Sequence, residues 1–167
     1  MPAPVYTTDI PYGFAGVGAA TPDSIIESFD NVSSGYIYNG GAVITGTGGV
    51  KPADATATST NFVGIAVRQV QSAVNYSSQN SAGAYGVNAP VPTLTRGKVT
   101  ALCTVGTPAL FGTVYLRTAL NSSIPTGVIG GFEANSDGGN SFAIPKCIWG
   151  CAADANGNAT IVLKEAN

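Results

Sequence analysis

The β-branched residues Val and Ile dominate the apolar part of this sequence, and this feature most limits what the chain can fold into. Val and Ile together outnumber Leu by 27 to 6. β-Branched side chains fit the pleated, half-buried surface of a sheet, whereas helices depend on Leu, Glu, Lys and Arg. The 22 Gly and 10 Pro residues divide the chain into short runs. The sequence therefore predicts a mainly β protein and excludes a mainly helical one.

Strand-like runs alternate with turn clusters along most of the chain. The two longest lie at residues 62–70 and 92–103, and Gly97 in the second predicts a bulge or a close backbone approach. About eight short strands with frequent turns are typical of a small β-sandwich or β-barrel. Shorter strands are predicted at residues 35–38, 42–45, 113–117, 128–129, 142–149 and 159–164.

Two local signals add detail to this prediction. Asn39-Gly40-Gly41 separates two strand-like runs, and because Asn and Gly accept positive φ it predicts a hairpin between them. Pro145 lies inside the run at 142–149. Because Pro cannot donate to a sheet ladder, it predicts an edge strand or a break at this point.

The N-terminus differs in character from the rest of the chain. Residues 1–22 combine four prolines with three glycines and predict an extended arm, which leaves 23–167 as one β-rich domain. Apolar and aromatic side chains are interspersed in the arm, so it either packs on its own domain or lies across a neighbouring subunit. Tyr36 and Tyr38, two residues apart on a strand, point to the same face and are also candidate contacts. The predicted interface residues are Tyr6, Ile10, Tyr12, Phe14, Tyr36 and Tyr38.

The charged and reactive residues exclude several classes of function. Histidine is absent, the formal net charge is −2, and only 10% of residues are charged. No Ser-His or Cys-His couple can form, no basic stripe is available for nucleic acid, and no apolar run reaches membrane-spanning length. We therefore predict no catalytic site, no metal, no cofactor, and neither a nucleic-acid nor a membrane partner.

Three cysteines cannot form a closed disulfide framework, and we interpret them as small buried apolar side chains. The first residues lack the basic and apolar segments of a secretory signal. Together these features predict synthesis in a reducing host cytoplasm.

Three motifs in successive predicted strands form a recognisable set. Gly64-Ile65-Ala66 stands in a first strand, Arg96-Gly97-Lys98-Val99 in a second, and Val114-Tyr115 in a later one. With these motifs the chain resembles the capsid cement (decoration) proteins of tailed bacteriophages, over roughly residues 60–165. Members of this family look like small β-rich domains that assemble as dimers or trimers at local symmetry axes of an icosahedral shell.

The resemblance implies a structural protein on the outer capsid surface, where it clamps adjacent major capsid proteins and stabilises the shell. It implies the major capsid protein and further copies of this chain as partners, with a homotrimer favoured over a dimer, and the virion as the location. Two alternatives remain at this point. One is another virion fibre, tail or spike domain, and the other is a carbohydrate-binding module that stacks sugars on Trp149 and the tyrosines.

Overall fold

The computed structural model describes residues 15–19, 23–68 and 83–164, and these residues are mainly β. The prediction of a mainly β fold is confirmed. Within the described residues the only helical segment is a short 3-10 helix at Gly138–Asn140. The strands are β1 (Gly18–Ala19), β2 (Ile25–Asp30), β3 (Ile37–Tyr38), β4 (Ala42–Gly46), β5 (Gly49–Pro52), β6 (Phe62–Ala66), β7 (Ala84–Tyr85), β8 (Pro90–Val105), β9 (Thr113–Arg117), β10 (Phe132–Glu133), β11 (Ser141–Trp149) and β12 (Asn158–Leu163).

The long strand β8 organises the fold because it belongs to two groups of strands. Its C-terminal part pairs with β12 on one side and with β10 on the other. Since β10 also pairs with β9, and β9 with β11, the strands β8, β12, β11, β9 and β10 close a five-stranded barrel. The N-terminal part of β8 instead lies between β2 and β6, and this second sheet continues through β4 to β5.

Gly97 lies where β8 passes from the second sheet into the barrel. Its φ is +125°, and a Cβ at this position would lie 2.6 Å from the hydroxyl oxygen of Ser24. Only glycine adopts such a backbone without strain. The register between β2 and β8 shifts beside this point, between Ile25 and Ile26. The close backbone approach predicted for Gly97 is therefore confirmed.

The inner strands of the second sheet, β4 and β6, are largely buried on both faces, which explains their nearly continuous apolar runs. Along β4, Ala42 and Ile44 belong to the same core as the barrel interior, whereas Val43 belongs to a second cluster. In β6, Ile65 and Ala66 divide between the two clusters in the same way. The side chains thus alternate between two apolar cores, one inside the barrel and one under the small β3–β7 sheet.

The predicted hairpin at Asn39-Gly40-Gly41 is wrong in its pairing, although the turn itself forms. Gly41 donates its N–H to the Tyr38 carbonyl at 3.0 Å. Strand β3, however, pairs with β7, while β4 pairs with β5 and β6. The Gly40 N–H bonds to the Ala66 carbonyl at the end of β6, so the turn leads the chain from one sheet into another.

Residues 120–149 contain one wrong strand prediction and one confirmed prediction of a break. Val128 and Ile129 are not in a strand; the strand that follows is β10, which supplies the parallel pairing that closes the barrel. Pro145 does interrupt its ladder, because the β11–β9 register shifts between Ala143 and Ile148. The neighbouring Lys146 has a left-handed backbone with φ of 58°.

Part of the predicted arm can be placed. Gly18 and Ala19 form β1 and pair with Val99 and Lys98 of β8. The Gly16 N–H bonds to the Thr100 carbonyl at 2.8 Å, so residues 15–19 are held by their own domain. Residues 1–14, with the predicted contacts Tyr6, Ile10, Tyr12 and Phe14, lie outside the described residues.

Candidate interaction surface

Several ionic groups of the described residues pair with one another. Arg96 pairs with Asp23 at 3.0 Å, and Lys51 pairs with Asp54 at 2.7 Å. No group of three or more Cys, Asp or Glu side chains able to hold a metal ion occurs in the part of the chain that the structure describes. No helix there is long and apolar enough to cross a membrane.

The thiols are poorly suited to nucleophilic chemistry. All three cysteines are free, and Cys147 is buried. Burial raises the pKa of the Cys147 thiol far above its usual range, and burial also raises the pKa of Cys103. Because the thiolate is the reactive form, the raised pKa disfavours reaction at both thiols.

A buried ion network organises the barrel end that follows β9. The guanidinium of Arg117 is fully buried and donates to both carboxylate oxygens of Glu133, through Nε to Oε1 and through Nη2 to Oε2 at 3.2 Å. Its Nη1 donates to Asp137 at 2.8 Å and to the Ala119 carbonyl at 3.0 Å. The sequence places Glu133 and Asp137 near each other, but it gives no signal that Arg117 lies between them.

Asp137 is the more exposed carboxylate of this network. Burial by itself would raise the pKa of Asp137, but hydrogen bonds from Asn121 and Arg117, together with the guanidinium charge, outweigh burial and lower it. A lowered folded-state pKa stabilises the fold at pH values above the unfolded-state pKa. This contribution is lost as the pH falls through the lowered value.

The network also fixes the loop between β9 and β10. Gly127 packs so closely on the Arg117 guanidinium that a Cβ would overlap it. The Gly130 backbone N–H donates to the Arg117 carbonyl at 2.8 Å, and the Arg117 backbone N–H donates to the Gly131 carbonyl at 3.1 Å. This loop presents Leu120 to solvent, with its side chain 69% exposed.

The tyrosine face consists of Tyr36 and Tyr38 on the two sides of the buried Ile37. Tyr36 is 64% exposed and Tyr38 is 59% exposed, whereas Ile37 is 1% exposed. The alternation follows from the strand β3, which pairs with β7 and covers the second core with its inner face. The structure thus places these two predicted contacts together on one exposed face.

One further exposed aromatic was missed by the sequence reasoning. Phe111, in the loop between β8 and β9, is 73% exposed and follows Leu110, which is 59% exposed. The local sequence gives no signal of this exposure, because an apolar pair after a turn is equally compatible with a core position. Trp149, proposed as a sugar-stacking platform, is completely buried inside the barrel, and that interpretation is wrong for this residue.

The described residues thus expose large apolar side chains on loops and on the small β3–β7 sheet. Rigid aromatic side chains exposed in this way are common contacts in protein interfaces. The described residues offer no comparable arrangement of reactive groups.

Two comparisons with known proteins give matches to this chain. A sequence model of the family described as "Structural cement protein (E217 gp24/Pam3 gp6)" matches residues 1–164. Among solved structures, a chain of "The capsid of Myoviridae Phage XM1" superposes with a TM-score of 0.70 at 19% identity, covering 98% of this chain and 97% of that chain. No curated protein matches the sequence.

Proposed function

This chain belongs to the family of structural cement proteins, and on that premise we propose that it binds the outer surface of an icosahedral phage capsid. The resemblance seen in the sequence is confirmed, and the role is that of a capsid cement protein. In the proposal, the chain clamps adjacent major capsid proteins and thereby stabilises the shell. It does so by adhesion alone, without catalysing a reaction.

The observation that carries this proposal is the exposure of large aromatic side chains on a surface with few charges. Tyr36 and Tyr38 are each more than half exposed, and only 10% of the residues in the chain are charged. A surface of this kind is a liability for an isolated subunit and suits one that is covered by another protein. No feature of the described residues favours a fibre, tail or spike domain or a carbohydrate-binding module.

The partners and the assembly state extend the proposal. The partners are the major capsid protein and further copies of this chain, as a homotrimer in preference to a dimer, in a virion assembled from chains made in the host cytoplasm. The resemblance to proteins that occupy local symmetry axes supports this assembly. The mass of the purified chain in light scattering distinguishes three copies from two or one.

The direct test is addition of the purified chain to expanded capsids that lack it. We expect icosahedrally ordered density on the outer surface in electron cryomicroscopy. Because charges are few and exposed ion pairs contribute only about 0–1 kcal/mol each, raising the salt concentration to about 0.5 M is expected to weaken binding by less than about tenfold. A loss of several orders of magnitude would contradict an apolar contact, and absence of ordered density would overturn the capsid role.

The N-terminal segment supplies the second part of the interface in this proposal. Deletion of residues 2–14 leaves Gly16 and β1, which bond to β8, so the β domain is expected to fold. Capsid occupancy is expected to fall sharply, because Tyr6, Ile10, Tyr12 and Phe14 are lost and large side chains bury the most area per ordered residue. The measurement is occupancy at a fixed concentration of added chain, with circular dichroism as the control for folding.

The outcomes of the deletion separate the two interpretations of the arm. Unchanged occupancy would show that the segment packs on its own domain. Loss of folding would show that it belongs to the core and that the boundary is misplaced. The variant Tyr36→Ser/Tyr38→Ser, assayed for capsid occupancy and for mass, shows whether the tyrosine face contacts the shell or another copy.

A further inference from the structure

The loop between β8 and β9 contains a turn whose backbone is unusual for its sequence. In the Phe111 turn, residues 109–112, the Gly112 N–H bonds to the Ala109 carbonyl at 2.8 Å. Phe111 is the third residue of this turn and has φ of 64°. That position in a turn with positive φ is normally Gly or Asn, because a Cβ is strained there. A bulky phenylalanine at this point is therefore a genuine exception.

Packing within the domain does not account for the phenylalanine. Its side chain is 73% exposed, the largest exposed fraction among the large apolar side chains of the described residues. Leu110 beside it is 59% exposed. The chain thus keeps a strained backbone at a residue that contributes little to its own core. Strain of this kind is concentrated at ligand and partner contacts.

Two backbone hydrogen bonds with Trp149 hold the turn in place. The Phe111 backbone N–H donates to the Trp149 carbonyl, and the Trp149 backbone N–H donates to the Gly112 carbonyl, both at 2.8 Å. Trp149 itself is completely buried in the barrel core. Because these bonds fix the backbone, the phenyl ring is presented without a large loss of conformational entropy on binding.

We propose that Leu110 and Phe111 form a preformed apolar plug that inserts into an apolar pocket of the capsid shell protein. This inference rests on the proposed capsid role and identifies one point of contact within it. The plug is distinct from the tyrosine face, which lies on the small β3–β7 sheet and not on the barrel.

Two features favour the shell protein over a second copy of this chain as the occupant. One aromatic side chain buries about 150–250 Å², whereas a stable interface needs about 800 Å² on each partner, so this turn cannot hold two copies together by itself. The same buried area is sufficient when the turn is one of several contacts between the chain and the capsid shell. In addition, residues 99–116 contain no Asp, Glu, Lys or Arg, so the segment that carries the turn offers no charge to a charged partner surface.

The variant Phe111→Gly separates a binding role from a folding role. Glycine adopts positive φ freely, so the variant is expected to keep or slightly raise the melting temperature. Binding to expanded capsids that lack the cement protein is expected to weaken by about 30-fold, as for a buried aromatic interface residue. Phe111→Asn, which also tolerates this backbone, is expected to behave in the same way. Leu120→Ala is the matched control, since it removes a comparably exposed apolar side chain beyond the opposite end of β9.

The outcomes distinguish this inference from the capsid role itself. If the wild-type chain binds and both Phe111 variants bind equally well, the plug is overturned and the capsid role stands. Equal losses in the Phe111 variants and in Leu120→Ala overturn it as well, because the effect is then not specific to the turn. A changed mass of the free Phe111 variants assigns the turn to a contact between copies and overturns the shell partner. Failure of the wild-type chain to bind overturns both proposals.

Discussion

Arg117→Met is expected to lower the free energy of unfolding by about 3–5 kcal/mol. The substitution keeps an unbranched aliphatic stem but removes the charged guanidinium that both oxygens of Glu133 contact. Glu133 is fully buried, so the variant leaves a carboxylate without its partner in an apolar interior. Breaking a buried pair from one side is costly for this reason. Chemical denaturation followed by circular dichroism measures the change.

The double variant Arg117→Met/Glu133→Leu tests this explanation. Because it removes both buried charges, it is expected to recover much of the lost stability. Arg96→Met is the matched control, since the Arg96–Asp23 pair is exposed and is expected to contribute no more than about 1 kcal/mol. A double variant as unstable as the single one would show that the arginine acts by filling space and holding the loop, and not by neutralising Glu133.

Gly64→Ala is expected to cost about 2–3 kcal/mol, near the upper end for an overpacked position. Gly64 lies in the middle of β6 and is buried. A Cβ there would overlap the Leu94 carbonyl of the neighbouring strand β8 and would lie 2.8 Å from Cγ2 of Thr93. Because a backbone atom is among the obstacles, a change of side-chain rotamer cannot relieve the overlap, and the two strands have to separate.

Gly139→Ala serves as the control for this substitution. A Cβ at Gly139 meets nothing within 4 Å, so its effect is expected to stay within about 0.5 kcal/mol. Both variants are compared by the midpoint and slope of urea denaturation. An equal effect of the two would mean that the close approach of β6 and β8 relaxes without cost.

Much of the strand content follows from local sequence. The run predicted at 62–70 contains β6, and the run predicted at 113–117 coincides with β9. These runs and the ladder break at Pro145 are predicted because β-branched propensity and the missing N–H of proline act within a few residues. The exposure of Tyr36 and Tyr38 around Ile37 follows from the alternation of side chains along a strand. The pairing of the turn at Asn39 does not, because a turn specifies a change of direction and not the strand that will lie beside it.

Other positions depend on contacts that are distant in sequence. Gly64, Arg117 and Gly127 are explained by atoms of other strands and loops, so no local pattern reveals their contacts. Phe111 is a similar case, because its left-handed backbone is held by hydrogen bonds with Trp149.

The sequence by itself determined that this protein is mainly β and poor in charge, with no histidine for catalysis, because these properties depend only on which residues are present and on their local order. The tertiary structure alone decided which strands pair, which charges are buried together and which apolar side chains remain outside. Strand pairing is a choice among many partners separated by long stretches of chain. Exposure depends on that pairing, so the exposed position of Phe111 could be identified only in the folded molecule.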